Sequence, residues 1–156
     1  MIVKKNFLSN KNFNTIKDIF YSTYFPWYLN TIVHNKHYQF THTFYTQRVG
    51  GINSNYFNYL KPLLKKIKYK ELLRIKANLI TKTNKIVSHG MHTDQSVGKT
   101  GIFYINTCNG YTLFKKLNQK NKSEENKFIE FNSNELHTGT SCTDSKFRIV
   151  ININYI

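Results

Sequence analysis

The chain has 156 residues, 40% of them hydrophobic, with 12 Phe and 11 Tyr, which is enough for one domain with a true core and a lean toward β-structure. Its net charge of +15 favours anionic partners, nucleic acid, acidic protein or phosphorylated ligands, although a lysine- and asparagine-rich surface can also be merely solvated. Two cysteines, Cys108 and Cys142, exclude a disulfide framework. No apolar run approaches a membrane span, and Met1-Ile-Val-Lys-Lys-Asn6 lacks the apolar segment of a secretory leader, so the expectation is a cytoplasmic protein without a membrane partner.

In chain order, residues 8–22 open with the cap-like Ser9 and Asn10 and carry Phe13, Ile16, Ile19 and Phe20 at helical spacing, predicting a helix. Phe25-Pro-Trp-Tyr28 stops it, since proline disfavours helix in the residue before it. Residues 28–33 and 38–45 read as strands, Gly50-Gly51 as a turn, and residues 54–68 as one or two short helices with Pro62 tolerable in a first turn.

From Leu72 the pattern becomes period two. Leu73, Ile75, Ala77 and Leu79 share one face of a strand, and Arg74, Lys76 and Asn78 the other, a polar face that meets either solvent or a cavity. Strands follow at 101–106 and 111–114, then a polar loop over 115–127, then strands at 128–132 and 147–155. An N-terminal helical segment (residues 1–70, with flanking strands) before a run of short strands (71–156) predicts one mainly β domain, a double-stranded β-helix or jelly roll.

The chemistry concentrates in His89-Gly-Met-His-Thr-Asp-Gln95 and Asn134-Glu-Leu-His-Thr-Gly139. His92 and Asp94 stand two apart, so on an extended segment both point one way, roughly 7 Å apart along it. With His137 from another strand end they make two imidazoles and a carboxylate. That set suits iron, manganese or zinc and tilts toward non-haem Fe(II). On the last strand Ile149, Ile151, Ile153 and Tyr155 share one face, and Arg148, Val150, Asn152 and Asn154 the other, either a solvent face or the lining of a barrel mouth. A tyrosine such as Tyr104 beside Arg148 would complete a carboxylate clamp.

His92-Thr-Asp94, Gly101-Ile-Phe-Tyr-Ile-Asn106, Gly110-Tyr-Thr-Leu-Phe114, Phe131-Asn-Ser-Asn-Glu-Leu-His137 and Arg148-Ile-Val-Ile-Asn152 resemble, in order, the blocks of the 2-oxoglutarate/Fe(II)-dependent oxygenases, most nearly the prolyl-hydroxylase-like branch with its small phage and microbial versions. The resemblance implies His92, Asp94 and His137 as iron ligands, and Arg148 with Tyr104 on the distal carboxylate of 2-oxoglutarate. Asn106 and Asn152 would line the pocket. It implies Fe(II), 2-oxoglutarate and O2 as the reacting set, with ascorbate as a reductant. The expected reaction is hydroxylation of a peptide side chain or small metabolite with release of succinate and CO2.

Other readings stay open at this stage. The chain could be a catalytically idle jelly-roll protein that binds nucleic acid or another anion. Cys108 and Cys142 could join His92 and His137 around zinc. Cupins usually show His-x-His, where this chain has His-x-Asp, and a nucleobase-demethylase-like branch would carry a second arginine where Asn154 stands, so nucleic acid is not favoured as substrate. His89 reads as a loop residue pointing away from His92, and His34, His37 and His42 as surface or rim positions. Lys61, Lys65, Lys66 and Lys68 could steer an acidic substrate. The oligomeric state is left open, and a viral source would place the protein in a host cytoplasm.

Overall fold

A computed structural model describes residues 1–31, 37–116 and 118–156. Strand β1 (Ile2–Lys4) leads to helix α1 (Asn10–Tyr21), β2 (Tyr28–Asn30), β3 (Gln39–Thr46) and β4 (Gly51–Ile52). A short helix, α2 (Lys61–Leu64), precedes β5 (Leu72–Thr81), β6 (Lys99–Tyr104), β7 (Cys108–Phe114), β8 (Gln119–Ser123), β9 (Lys127–Asn132), β10 (His137–Gly139) and β11 (Phe147–Tyr155).

Among the described residues the large antiparallel sheet runs β1-β9-β6-β11-β5-β3-β2, with β4 on β3, and the small sheet runs β10-β7-β8. Residues 88–94 extend the small sheet through two isolated antiparallel bridges, Ser88 to Thr140 and His92 to His137. From β5 onward the chain therefore alternates between the two sheets, with only β7 and β8 consecutive in the small one, which is the jelly-roll winding expected from the strand pattern.

Ser9 caps α1, its hydroxyl accepting from the Asn12 amide, and the helix buries Phe13, Ile16, Ile19 and Phe20 against the outer face of the large sheet. There Ile75 and Ala77 of β5, Phe103 of β6, and Ile149, Ile151 and Ile153 of β11 supply the opposing surface. Phe103 meets Phe13 edge-on at 6.0 Å and Phe7 at 6.2 Å. Burying each such ring contributes roughly 1.5–3 kcal/mol. The inner face divides: Ile102, Tyr104, Phe114, Ile129, Phe131 and Val150 form a second core between the sheets, and the polar alternates line a cavity.

Several expectations need correction. The polar stretch 115–127 contains β8, in which Asn121 and Ser123 are buried while Gln119, Lys120 and Lys122 are exposed. Polar side chains on both faces hid that alternation, and Asn118, with φ 46°, supplies the left-handed residue of the hairpin. Ile2–Lys4 pairs with β9, which nothing in its short sequence announced. β2 ends at Asn30; the remainder of the expected 28–33 strand, like His34, lies outside the described residues for positions 32–36. His42 is not a surface residue: it is buried, with Nδ1 donating to the Pro26 carbonyl and Nε2 accepting from the Ser54 hydroxyl.

Candidate metal centre

His92 and His137 are joined backbone to backbone, each amide donating to the other's carbonyl at 2.9 and 3.0 Å, and the Asp94 amide donates to Ser133 O at 2.9 Å. These bonds bring the His-x-Asp segment to the start of β10. One ligand atom from each of His92, Asp94 and His137 lies within 4.8 Å of the others. The Nε2 atoms stand 4.0 Å (His92) and 3.9 Å (His137) from the Asp94 carboxylate.

Both rings are oriented alike. His92 Nδ1 bonds Gly90 O at 3.1 Å and His137 Nδ1 bonds Glu135 O at 2.9 Å. A carbonyl can only accept, so each Nδ1 carries a proton and each Nε2 is the atom left near Asp94, the arrangement that fixes metal-binding histidines. Burial lowers the pKa of His137, which favours the neutral form that can ligate. Burial alone would raise that of Asp94. The neighbouring His137, the Thr100 hydroxyl at 2.9 Å, Arg74 at 3.3 Å and the Asn154 amide at 3.2 Å outweigh it and hold the carboxylate ionised. Two imidazoles and one ionised carboxylate fit a divalent cation of the ferrous class.

The same cavity, about 420 Å³, is lined by Arg148, Asn152 and Thr112 as well as the three candidate ligands. Arg148 is 2% exposed. Its Nη2 donates to Thr112 Oγ1 at 3.1 Å, its Nε has no partner, and among the described residues no carboxylate pairs with it. Tyr104 does not reach the cavity lining. Its ring lies 5.6 Å from the guanidinium and its hydroxyl donates to the same Thr112 oxygen at 2.9 Å. Asn106 is a correction: its Nδ2 donates to Phe147 O and its Oδ1 accepts from Ile149 N, both at 2.8 Å, so it splices β6 to β11 instead of lining the pocket.

Some cavity residues were not anticipated. Thr112 follows from parity on β7, where Cys108, Gly110, Thr112 and Phe114 turn inward, but nothing marked its hydroxyl. His89 lines the cavity, because residues 88–94 are irregular and strand parity fails there. Burial, then repulsion by His37 and Arg148, lowers its pKa to about 4. Arg74, Lys76 and Asn78 face the cavity and not bulk solvent. Lys61, Lys65, Lys66 and Lys68 do not line it, and Lys66 Nζ is tied to Phe7 O at 2.6 Å. The zinc alternative fails, since the cysteines group with Asp144 and the histidines with Asp94. Cys142 is pushed up to about 11 by burial and by Cys108, leaving a protonated thiol.

No protein-family model matches the sequence, and no curated protein does. Solved structures do match. One is an oxidoreductase of the 2OG-Fe(II) oxygenase family from Burkholderia pseudomallei (TM-score 0.72, 12% identity, covering 99% of this chain and 84% of that one). A second is the viral collagen prolyl hydroxylase of Paramecium bursaria Chlorella virus-1 in complex with 2OG (0.65, 15%, 98% and 93%). A third is a Trichoplax adhaerens prolyl hydroxylase in complex with a hypoxia-inducible-factor peptide fragment (0.68, 13%, 99% and 82%). The fold is thus the double-stranded β-helix found in 2-oxoglutarate/Fe(II) oxygenases, including prolyl hydroxylases.

Proposed function

We propose that the protein is an Fe(II)- and 2-oxoglutarate-dependent dioxygenase that hydroxylates a peptide side chain or a small metabolite. The observation that carries this reading is Arg148, a buried guanidinium without a counter-ion among the described residues, in the same cavity as two imidazoles and an ionised carboxylate. Burying an unpaired charge costs several kcal/mol, so such a residue implies an anionic ligand.

His92, Asp94 and His137 would hold a ferrous ion, whose chemistry when bound is oxygen activation coupled to decarboxylation of 2-oxoglutarate. Arg148 takes the distal carboxylate of 2-oxoglutarate through its free donors. Thr112 steadies it: its oxygen already accepts from both Arg148 and Tyr104, so the hydroxyl hydrogen is free to donate to the same carboxylate. Tyr104 acts through Thr112, and the apolar wall of Ile102, Ile80 and Val150 keeps water from the chain between the two ends of the co-substrate. Peptide hydroxylation is favoured by the prolyl hydroxylases among the similar folds, one of them solved with a peptide.

Anaerobic titration with Fe(II) and 2-oxoglutarate tests the reading. A visible charge-transfer band that is lost in His92→Ala and weakened in Arg148→Ala is expected. A folded, iron-loaded wild type that develops no band with 2-oxoglutarate overturns it.

A further inference from the structure

The cavity holds more positive charge than the proposed co-substrate uses. Residues on one face of the large sheet are fixed by register: on β11 Arg148, Val150, Asn152 and Asn154 stand opposite Ile80, Asn78, Lys76 and Arg74 of β5. Arg148 is assigned to 2-oxoglutarate. Arg74 is committed to Asp94 and to Asn154 Oδ1, at 3.3 and 3.0 Å. Lys76, between these two levels, lines the cavity with no hydrogen bond or ion pair among the described residues.

Its neighbours are equally unspent. Asn152 lies directly across the strand pair from Lys76, and Asn78 follows two residues on along the same face. The buried Oδ1 atoms of both have no partner. An amide in that state can turn to offer N–H as readily as oxygen. The result is an ammonium flanked by two free amides on one wall, separate from Arg148 and facing the same cavity as the metal ligands.

We propose that Lys76, flanked by Asn78 and Asn152, binds an oxyanion of the primary substrate, a carboxylate or a phosphate borne close to the carbon that is oxidised. This rests on the dioxygenase reading and narrows its substrate class to anionic molecules or peptides. The burial that lowers the Lys76 pKa is relieved by such a partner. The chain's net charge of +15 would draw the same class of molecule toward it.

The test loads the whole protein with Mn(II) and 2-oxoglutarate and measures dissociation constants by calorimetry for three capped residues. N-acetylproline ends in a carboxylate, N-acetylprolinamide has the same ring without charge, and N-acetylphosphoserine amide carries a phosphate. One of the two anions should bind wild type at least about tenfold tighter than the neutral amide. The identity of that anion assigns the source. Lys76→Met should abolish the preference, Lys76→Arg should keep it, and 2-oxoglutarate affinity should change by less than about twofold in both. Equal binding of all three probes, no binding of either anion, or a preference that survives Lys76→Met overturns the inference. So does a parallel loss of 2-oxoglutarate affinity in Lys76→Met, which would make Lys76 a co-substrate anchor. Wild type that takes up neither Mn(II) nor 2-oxoglutarate overturns the dioxygenase reading itself, and this inference with it.

Discussion

Arg148 and Tyr104 meet on a single atom: the Oγ1 of Thr112 accepts from the guanidinium at 3.1 Å and from the phenol at 2.9 Å. In the proposed reading the threonine, and not the tyrosine, would therefore be the second contact for a ligand carboxylate. Thr112→Val keeps the shape and removes the hydroxyl, and should weaken 2-oxoglutarate binding about tenfold, the worth of one hydrogen bond to a charged group. Tyr104→Phe should have the smaller effect. Calorimetric titration of the two variants checks the order, and a larger loss in Tyr104→Phe would reverse the assignment.

Asn154 is fully buried and gives its amide to Asp94 at 3.2 Å and to the Thr100 hydroxyl at 2.9 Å while accepting from Arg74. Asn154→Ala should lower metal affinity roughly 10–100-fold by freeing the carboxylate to turn. Competition of Fe(II) or Mn(II) against a chelator reads this directly. Unchanged affinity would mean that Thr100 and Arg74 suffice.

Gly110 leaves no room for a side chain. A Cβ there would come within 2.7 Å of both Arg148 Cδ and the Ser141 carbonyl oxygen. The side chain can shift but the carbonyl belongs to the backbone, so Gly110→Ala should both lower the unfolding midpoint and displace Arg148. Its 2-oxoglutarate affinity should fall further than that of Gly139→Ala, whose nearest contact is Arg148 Nη1 at 3.3 Å.

Burial keeps His42 and His89 neutral in the fold, lowering His42 from 6.5 and His89 from 6.5 to about 4. The unfolded chain then binds more protons than the folded one below about pH 6.5. The stability these two contribute is complete above that pH and is lost progressively as pH falls through 6.5 toward about 4. Urea midpoints of wild type between about pH 7.5 and 4.5 should decline, and His42→Gln with His89→Gln should decline less steeply. Parallel slopes would remove these two histidines from the account.

Period-two alternation was enough to read β5 and β11, because each has an apolar face packed under α1 and a polar face turned inward. Whether that polar face met water or a cavity could not be decided along one strand. It depends on the small sheet closing over it, a non-local fact. That His92, Asp94, His137 and Arg148, separated in sequence, line one cavity was legible through residue type and order. Thr112 and His89 were not, since a threonine on an alternating strand and a histidine in an irregular segment carry no local mark. Asn106 misled for the opposite reason. It falls on the inward parity of β6, yet its amide replaces a missing rung of the backbone ladder.

The central place of β11 has a consequence for folding. It is the last of the strands and lies between β5 and β6, which are joined within the large sheet only through it. Until residues 147–155 dock, the folding chain carries two half-sheets with bare facing edges and no Arg148 between them. Such edges invite pairing with other chains, so the interval before β11 docks is when the folding chain is most prone to aggregate, and its docking is what brings Arg148 to the cavity.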